Sequence, residues 1–133
     1  AAQAAESAYA DPGVRDVLAR AAEATTVIAG IGSTRDTRGL LFGSLSDEER
    51  AALLEAGAIG DIGGRFFDAA GAPVRGALDH RVVGLDLDQL RAIPHRLAIA
   101  AGPSKLDALR VALSSGIVTM LVTDSNTAAG LLS

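Results

Sequence analysis

Cysteine and tryptophan are both missing, aromatic residues amount to 3%, and a single lysine, Lys105, stands among eleven arginines. Without cysteine there is no disulfide framework and no thiolate chemistry, which fits a reducing compartment, so a cytoplasmic location is expected. With so few rings, the core must be assembled from Ala, Val, Ile and Leu within a hydrophobic fraction of 49%. Small aliphatics of this kind suit strand–helix layers better than a sandwich or barrel of short strands. No window approaches the roughly 18 apolar residues of a spanning helix, and no membrane partner is expected. A basic run is also missing and the net charge is −4, which argues against direct contact with nucleic acid. The opening residues, Ala1-Ala2-Gln3-Ala4-Ala5-Glu6, have neither the basic flank nor the apolar stretch of a signal peptide. They also lack an initiating Met, so the 133 residues read as one domain or as part of something longer.

What is present is a βα rhythm. Asp11-Pro12 supplies an N-cap and a first helical residue for a helix through about Ala22. Thr25–Gly30 is a short apolar, β-branched strand, followed by Gly30-Ile31-Gly32-Ser33-Thr34 and then by an irregular polar stretch from Arg35 to Gly43. Ser46-Asp47-Glu48-Glu49 is a capping box for a helix that ends near Gly57. From Gly60 to Val74 the pattern changes to a short strand and a hairpin turning through Asp68–Gly71. A strand is expected at Arg81–Leu85, then a brief helix capped by Asp86 over Leu87–Ala92. Strand 96–101, helix 103–114, strand 117–122 and helix 125–132 complete the alternation. The expected fold is therefore α/β: a Rossmann-like parallel sheet flanked by helices, with a β-hairpin insertion. Three parallel strands, at Thr25, Leu97 and Ile117, are few for a sheet covered on both faces. Either a second chain completes the sheet or further sequence does.

Ligands of open parallel sheets bind beyond the carboxyl ends of the strands. Three such ends are polar or glycine-rich: Gly30–Thr34, Gly102–Lys105 and Thr123-Asp124-Ser125. In the second, Pro103 has no N–H, leaving those of Ser104 and Lys105, with the Ser104 hydroxyl, to face an anion. The Lys105 ammonium adds a point charge suited to phosphate. Thr123 and Asp124 offer a hydroxyl and a carboxylate to a polyol, although Asp124 also has the position of an ordinary N-cap. Gly30 and Gly32 serve either ligand contact or close packing of backbone. Asp61, in Gly60-Asp61-Ile62-Gly63-Gly64, is either a turn-forming residue or a group that binds sugar hydroxyls or acts as a base.

Familiar catalytic and cofactor motifs are missing. A dinucleotide fingerprint needs a third glycine where Arg35 stands. Gly102-Pro103-Ser104-Lys105 lacks the spacing and order of a Walker loop, and there is no Gly-x-Ser-x-Gly elbow. His80 and His95 have no metal-ligand spacing. No cofactor, metal or catalytic residue is expected.

Several segments, in this order and at these intervals, resemble the effector-binding domain of the SorC family of sugar-responsive bacterial transcription regulators, the group related to DeoR. They are Gly30-Ile31-Gly32-Ser33, Gly57–Asp68, Asp79–Leu85, Ile93-Pro94, Ala101–Lys105 and Leu121–Asp124. The resemblance covers essentially all 133 positions. It implies a domain related to glucosamine-6-phosphate deaminase and ribose-5-phosphate isomerase, a sugar or sugar phosphate as effector, and a dimer or tetramer. It implies contact with DNA only through an N-terminal helix-turn-helix, which this chain lacks along with the first half of the effector domain. Residues 1–133 would then be the C-terminal portion. The family usually has Gly-Gly where this chain has Ala101-Gly102. The positions that carry over as ligand-binding are Gly32, Ser33, Asp61, Gly102, Ser104, Lys105, Thr123 and Asp124. Two other readings stay open: a sugar-phosphate isomerase or deaminase of the same fold, with Asp61, Asp79 or Asp124 as base, and an oligomerisation domain with a vestigial site.

Overall fold

The chain leaves one sheet for another at Gly30. In the computed structural model, which describes residues 2–133, strand β1 (Thr26–Ala29) lies in a parallel sheet and strand β2 (Ile31–Ser33) in an antiparallel one. Two helices precede them. Helix α1 covers Ala2–Ala10, and helix α2 covers Pro12–Ala22 behind the Asp11 cap, whose carboxylate accepts the Gly13 and Val14 N–H groups at 2.8 and 3.0 Å. The parallel sheet has the order β1–β5–β6, with β5 at His95–Ile99 and β6 at Met120–Val122. The antiparallel sheet has the order β2–β3–β4, with β3 at Ala58–Ile62 and β4 at Arg65–Asp68. Helix α3 (Asp47–Glu55) joins β2 to β3 after the expected capping box: Ser46 Oγ accepts the Glu49 N–H, and Glu49 accepts the Ser46 N–H. Helix α4 (Leu87–Ala92) follows the Asp86 cap, helix α5 (Leu106–Ser114) joins β5 to β6, and helix α6 (Ser125–Leu132) closes the chain.

Three expectations are corrected. The main hairpin turn is Gly63-Gly64, where both residues hold positive φ (58° and 79°), the backbone that a tight two-residue β-turn requires. Asp68–Gly71 is a second turn, which folds residues 72–74 back along β4 through Asp68 N–H to Ala72 O and Val74 N–H to Phe66 O. Arg81–Leu85 is not a strand. It is a 3₁₀ turn (Asp79–Arg81) and an irregular run, because side chains rather than a neighbouring strand satisfy its backbone. The Tyr9 hydroxyl donates to Val82 O at 3.0 Å, while Arg65 donates to Leu85 O at 3.0 Å and to Gly84 O at 3.1 Å. Finally, β6 begins at Met120, since Ile117 and Val118 turn inward as core residues.

The main core fills the space between the two sheets and α5. Ala108 and Ala112 of α5 are wholly buried, as are Ala98 of β5 and Phe67 of β4. Small residues set the spacing. A β-carbon on Gly60 would lie 2.6 Å from Gly32 O and 2.7 Å from Ala108 Cβ, so the antiparallel sheet and α5 approach only because Gly60 has no side chain. A smaller cluster of Phe42, Leu45, Leu53, Ala58 and Phe66 packs α3 onto the outer side of the antiparallel sheet.

Arg65 is buried, and its guanidinium also reaches Asp79 O at 3.3 Å and Asp79 Oδ1 at 3.5 Å. Removing it would take the shared donor from the partly buried carbonyls of Asp79, Gly84 and Leu85. Arg65→Ala is expected to cost about 2–4 kcal/mol and lower the melting temperature by about 10 °C in calorimetry.

Candidate functional site

Gly32 on β2 and Asp61 on β3 are paired in register. A side chain at position 32 would fill the place of the Asp61 carboxylate, since a β-carbon there would sit 1.9 Å from Asp61 Oδ1. The glycine is therefore what admits the acid. Asp61 is buried, and its Oδ2 accepts the Gly64 N–H at 3.3 Å. Burial pushes the Asp61 carboxyl above its ordinary range; the Gly64 N–H and the positive charge of Lys105 pull the other way without cancelling this.

Lys105 reaches the same wall from the other sheet. It ends the 3₁₀ turn Pro103–Lys105 between β5 and α5, and its ammonium donates to Ile31 O at 2.7 Å. Ser33 fixes the turn against β2: its hydroxyl donates to Ser104 O at 2.7 Å and accepts the Arg35 N–H at 3.1 Å. One lysine N–H is used by Ile31, leaving the other two without a protein acceptor among the described residues. The result is a cleft of about 470 Å³ whose wall carries Gly32, Ser33, Asp61 and Lys105. The far side is the loop from Asp36 to Phe42, with Asp36 and Arg38 as its charged groups. That loop falls within the irregular stretch expected at 35–43, but nothing in its sequence tied it to the site. The alternation of charge in Arg35-Asp36-Thr37-Arg38 was the one available signal.

The remaining candidates stand elsewhere. The Lys105 N–H donates to Gly102 O at 3.1 Å inside the 3₁₀ turn, so it does not face an anion as expected. Gly102 takes φ 118°, and its N–H donates to the Thr127 hydroxyl at 2.9 Å. Asp124 is the N-cap of α6, accepting the Thr127 N–H at 2.7 Å, which holds its carboxyl below the usual carboxylate range. The Thr123 hydroxyl is buried without a hydrogen-bond partner among the described residues. Thr123, Asp124, Gly102 and Ser104 do not line the cleft. Two loop tips thus meet at the site, and the third is joined to it through Thr127. Among the described residues no group of three or more His, Cys, Asp or Glu is placed to hold a metal ion, and no helix is long and apolar enough to cross a membrane.

A parallel sheet flanked by helices, with a cleft beyond its first strand, is an α/β domain of the architecture in which ligands bind at strand ends. The chain belongs to the family described as "Putative sugar-binding domain", which it matches over residues 1–133. It is 37% identical over 123 residues to the transcriptional regulator LsrR of Enterobacter sp. (strain 638), covering 90% of this chain and 38% of that protein. Among solved structures it is similar to a DeoR family transcriptional regulator from Listeria monocytogenes (26% identity, TM-score 0.90, 98% of this chain and 53% of that one). It is also similar to the structure titled "Putative Sugar-Binding Domain of Transcriptional Repressor" from Vibrio fischeri (28% identity, TM-score 0.84, 98% and 53%). The chain spans less than half of the regulator and about half of each solved chain. It is thus homologous to sugar-binding regulators of the DeoR/SorC type, and the proteins it matches are regulators rather than enzymes of the related isomerase-like folds.

The raised Asp61 carboxyl fixes the sign of one pH effect. The folded chain keeps this proton to a higher pH than the unfolded chain, so ionising Asp61 erodes stability as pH rises through that interval and contributes nothing below it. Asp61→Asn is expected to melt above the unsubstituted protein at pH 7.5, with the difference vanishing as pH falls to about 4. A difference that stays constant across the titration would contradict an ionising Asp61.

Proposed function

We propose that the cleft is the effector site of a bacterial transcriptional regulator and that its ligand is a sugar or sugar phosphate. The observation that carries this reading is the arrival of one carboxylate, Asp61, and one ammonium, Lys105, on the same cleft wall from two different sheets. A carboxylate accepts hydrogen bonds from polyol hydroxyls, and the free lysine donors suit hydroxyl or phosphate oxygens. Both are already held in place, Asp61 by Gly64 and Lys105 by Ile31, so binding pays little to order them. The family to which the chain belongs supports the sugar.

In this reading residues 1–133 are the C-terminal portion of the effector domain. The first half of that domain and a helix-turn-helix lie outside the chain, and the complete regulator is a homo-oligomer that touches DNA only through the helix-turn-helix. The effector acts by binding one conformation of the regulator more tightly than another, since a ligand shifts an equilibrium only by its differential affinity. Thr123 and Asp124 take no direct part in holding the effector; they support α6 behind the Gly102–Lys105 turn.

The test is thermal. Across a panel of phosphorylated sugars, at least one is expected to raise the melting temperature of the complete domain by several degrees at saturating concentration. Lys105→Ala is expected to remove most of that rise. An undiminished rise in the variant would overturn the role of Lys105, and no response to any sugar or sugar phosphate would overturn the effector itself.

A further inference from the structure

One face of the parallel sheet is bare. Register partners in neighbouring strands point the same way, and the pairs Ile28↔Leu97, Leu97↔Met120 and Ile99↔Val122 place five large apolar side chains on one side. Four of them are far more exposed than core residues: Ile28 63%, Ile99 56%, Met120 61% and Val122 50%. None belongs to either hydrophobic cluster. The opposite face carries Val27, Ala29, Ala98 and Leu121, all packed in the main core. Parallel sheets are covered on both sides, because their crossover helices pack against them. A contiguous patch of aliphatic side chains from three strands is a surface made to be buried. The five carry no charge, which excludes a polyanion as their partner.

We propose that this face is the seat of the other half of the sugar-binding domain, carried on the same polypeptide and laying an apolar layer across Ile28, Leu97, Ile99, Met120 and Val122. The lengths of the relatives select this occupant over a second copy. The Vibrio fischeri structure is described as a sugar-binding domain in itself, yet this chain covers only 53% of it. About as much chain again therefore belongs to one such domain and has to pack against this half. The inference rests on the reading of residues 1–133 as part of a longer regulator, and it is independent of which ligand the cleft takes.

Met120 is the chain's only methionine and lies within the bare face, so it reports coverage without any substitution. In the complete regulator, hydrogen peroxide oxidises an accessible thioether to the sulfoxide, and peptide mass spectrometry follows Met120 by name. The expected rate is slower by at least ~10-fold than in the urea-unfolded protein, because the sulfur reacts only when the covering layer opens, and it is unchanged on dilution. A rate close to the unfolded one would overturn the proposal by showing an uncovered face. Protection that disappears on dilution would overturn it too, by assigning the face to a partner copy. Either result leaves the thermal response to sugars standing, so the two readings fail separately.

Discussion

The close approach of α5 to the antiparallel sheet governs the rest of the molecule. Ala108 can reach the backbone at Gly60 only because neither residue carries bulk there. That contact sets the height at which α5 begins, and with it the height of the 3₁₀ turn and of Lys105. Were the helix raised by the width of a methyl group, the ammonium would lose Ile31 O, and Asp61 would be buried without a nearby cation. The site is thus a by-product of packing density: interiors at crystal-like density transmit a change of one carbon to everything they touch.

The same economy of side chains explains how one chain feeds two sheets. β1 and β2 are separated by Gly30 alone, yet they pair with different neighbours and in different senses. The antiparallel sheet supplies the acid and its glycine, and the parallel sheet supplies the turn that bears the lysine. Neither sheet lines the cleft by itself.

Much of this could be read from the residues. Asp11-Pro12, the Ser46/Glu49 box and Asp86 marked three helix starts that the structure places at Pro12, Asp47 and Leu87, because capping is a local interaction written in adjacent residues. The three strands of the parallel sheet were legible as apolar runs alternating with helices, but their order, β1–β5–β6, was not. Of the second sheet only a short strand and a hairpin within Gly60–Val74 were legible; pairing Ile31–Ser33 with Gly60–Ile62 depends on a distant partner and on three residues too few to show a period. Arg81–Leu85 misled for the opposite reason: Val82, Val83 and Leu85 have strand-like residue types, but the carbonyls of Val82, Gly84 and Leu85 are taken by the side chains of Tyr9 and Arg65. At the site, Lys105 and Asp61 were visible as chemical oddities. That Asp124 works as a cap and that the Lys105 N–H folds back on Gly102 are matters of geometry that composition does not carry.

The hydrogen bond from Gly102 to the Thr127 hydroxyl has a mechanical consequence. Thr127 is itself gripped by Asp124 at the start of α6, so the final helix and the lysine-bearing turn are two ends of a short rigid strut. Displacing α6 from that turn breaks the Gly102–Thr127 hydrogen bond or moves the turn with it. The start of α6 is therefore tied to the turn from which Lys105 enters the cleft.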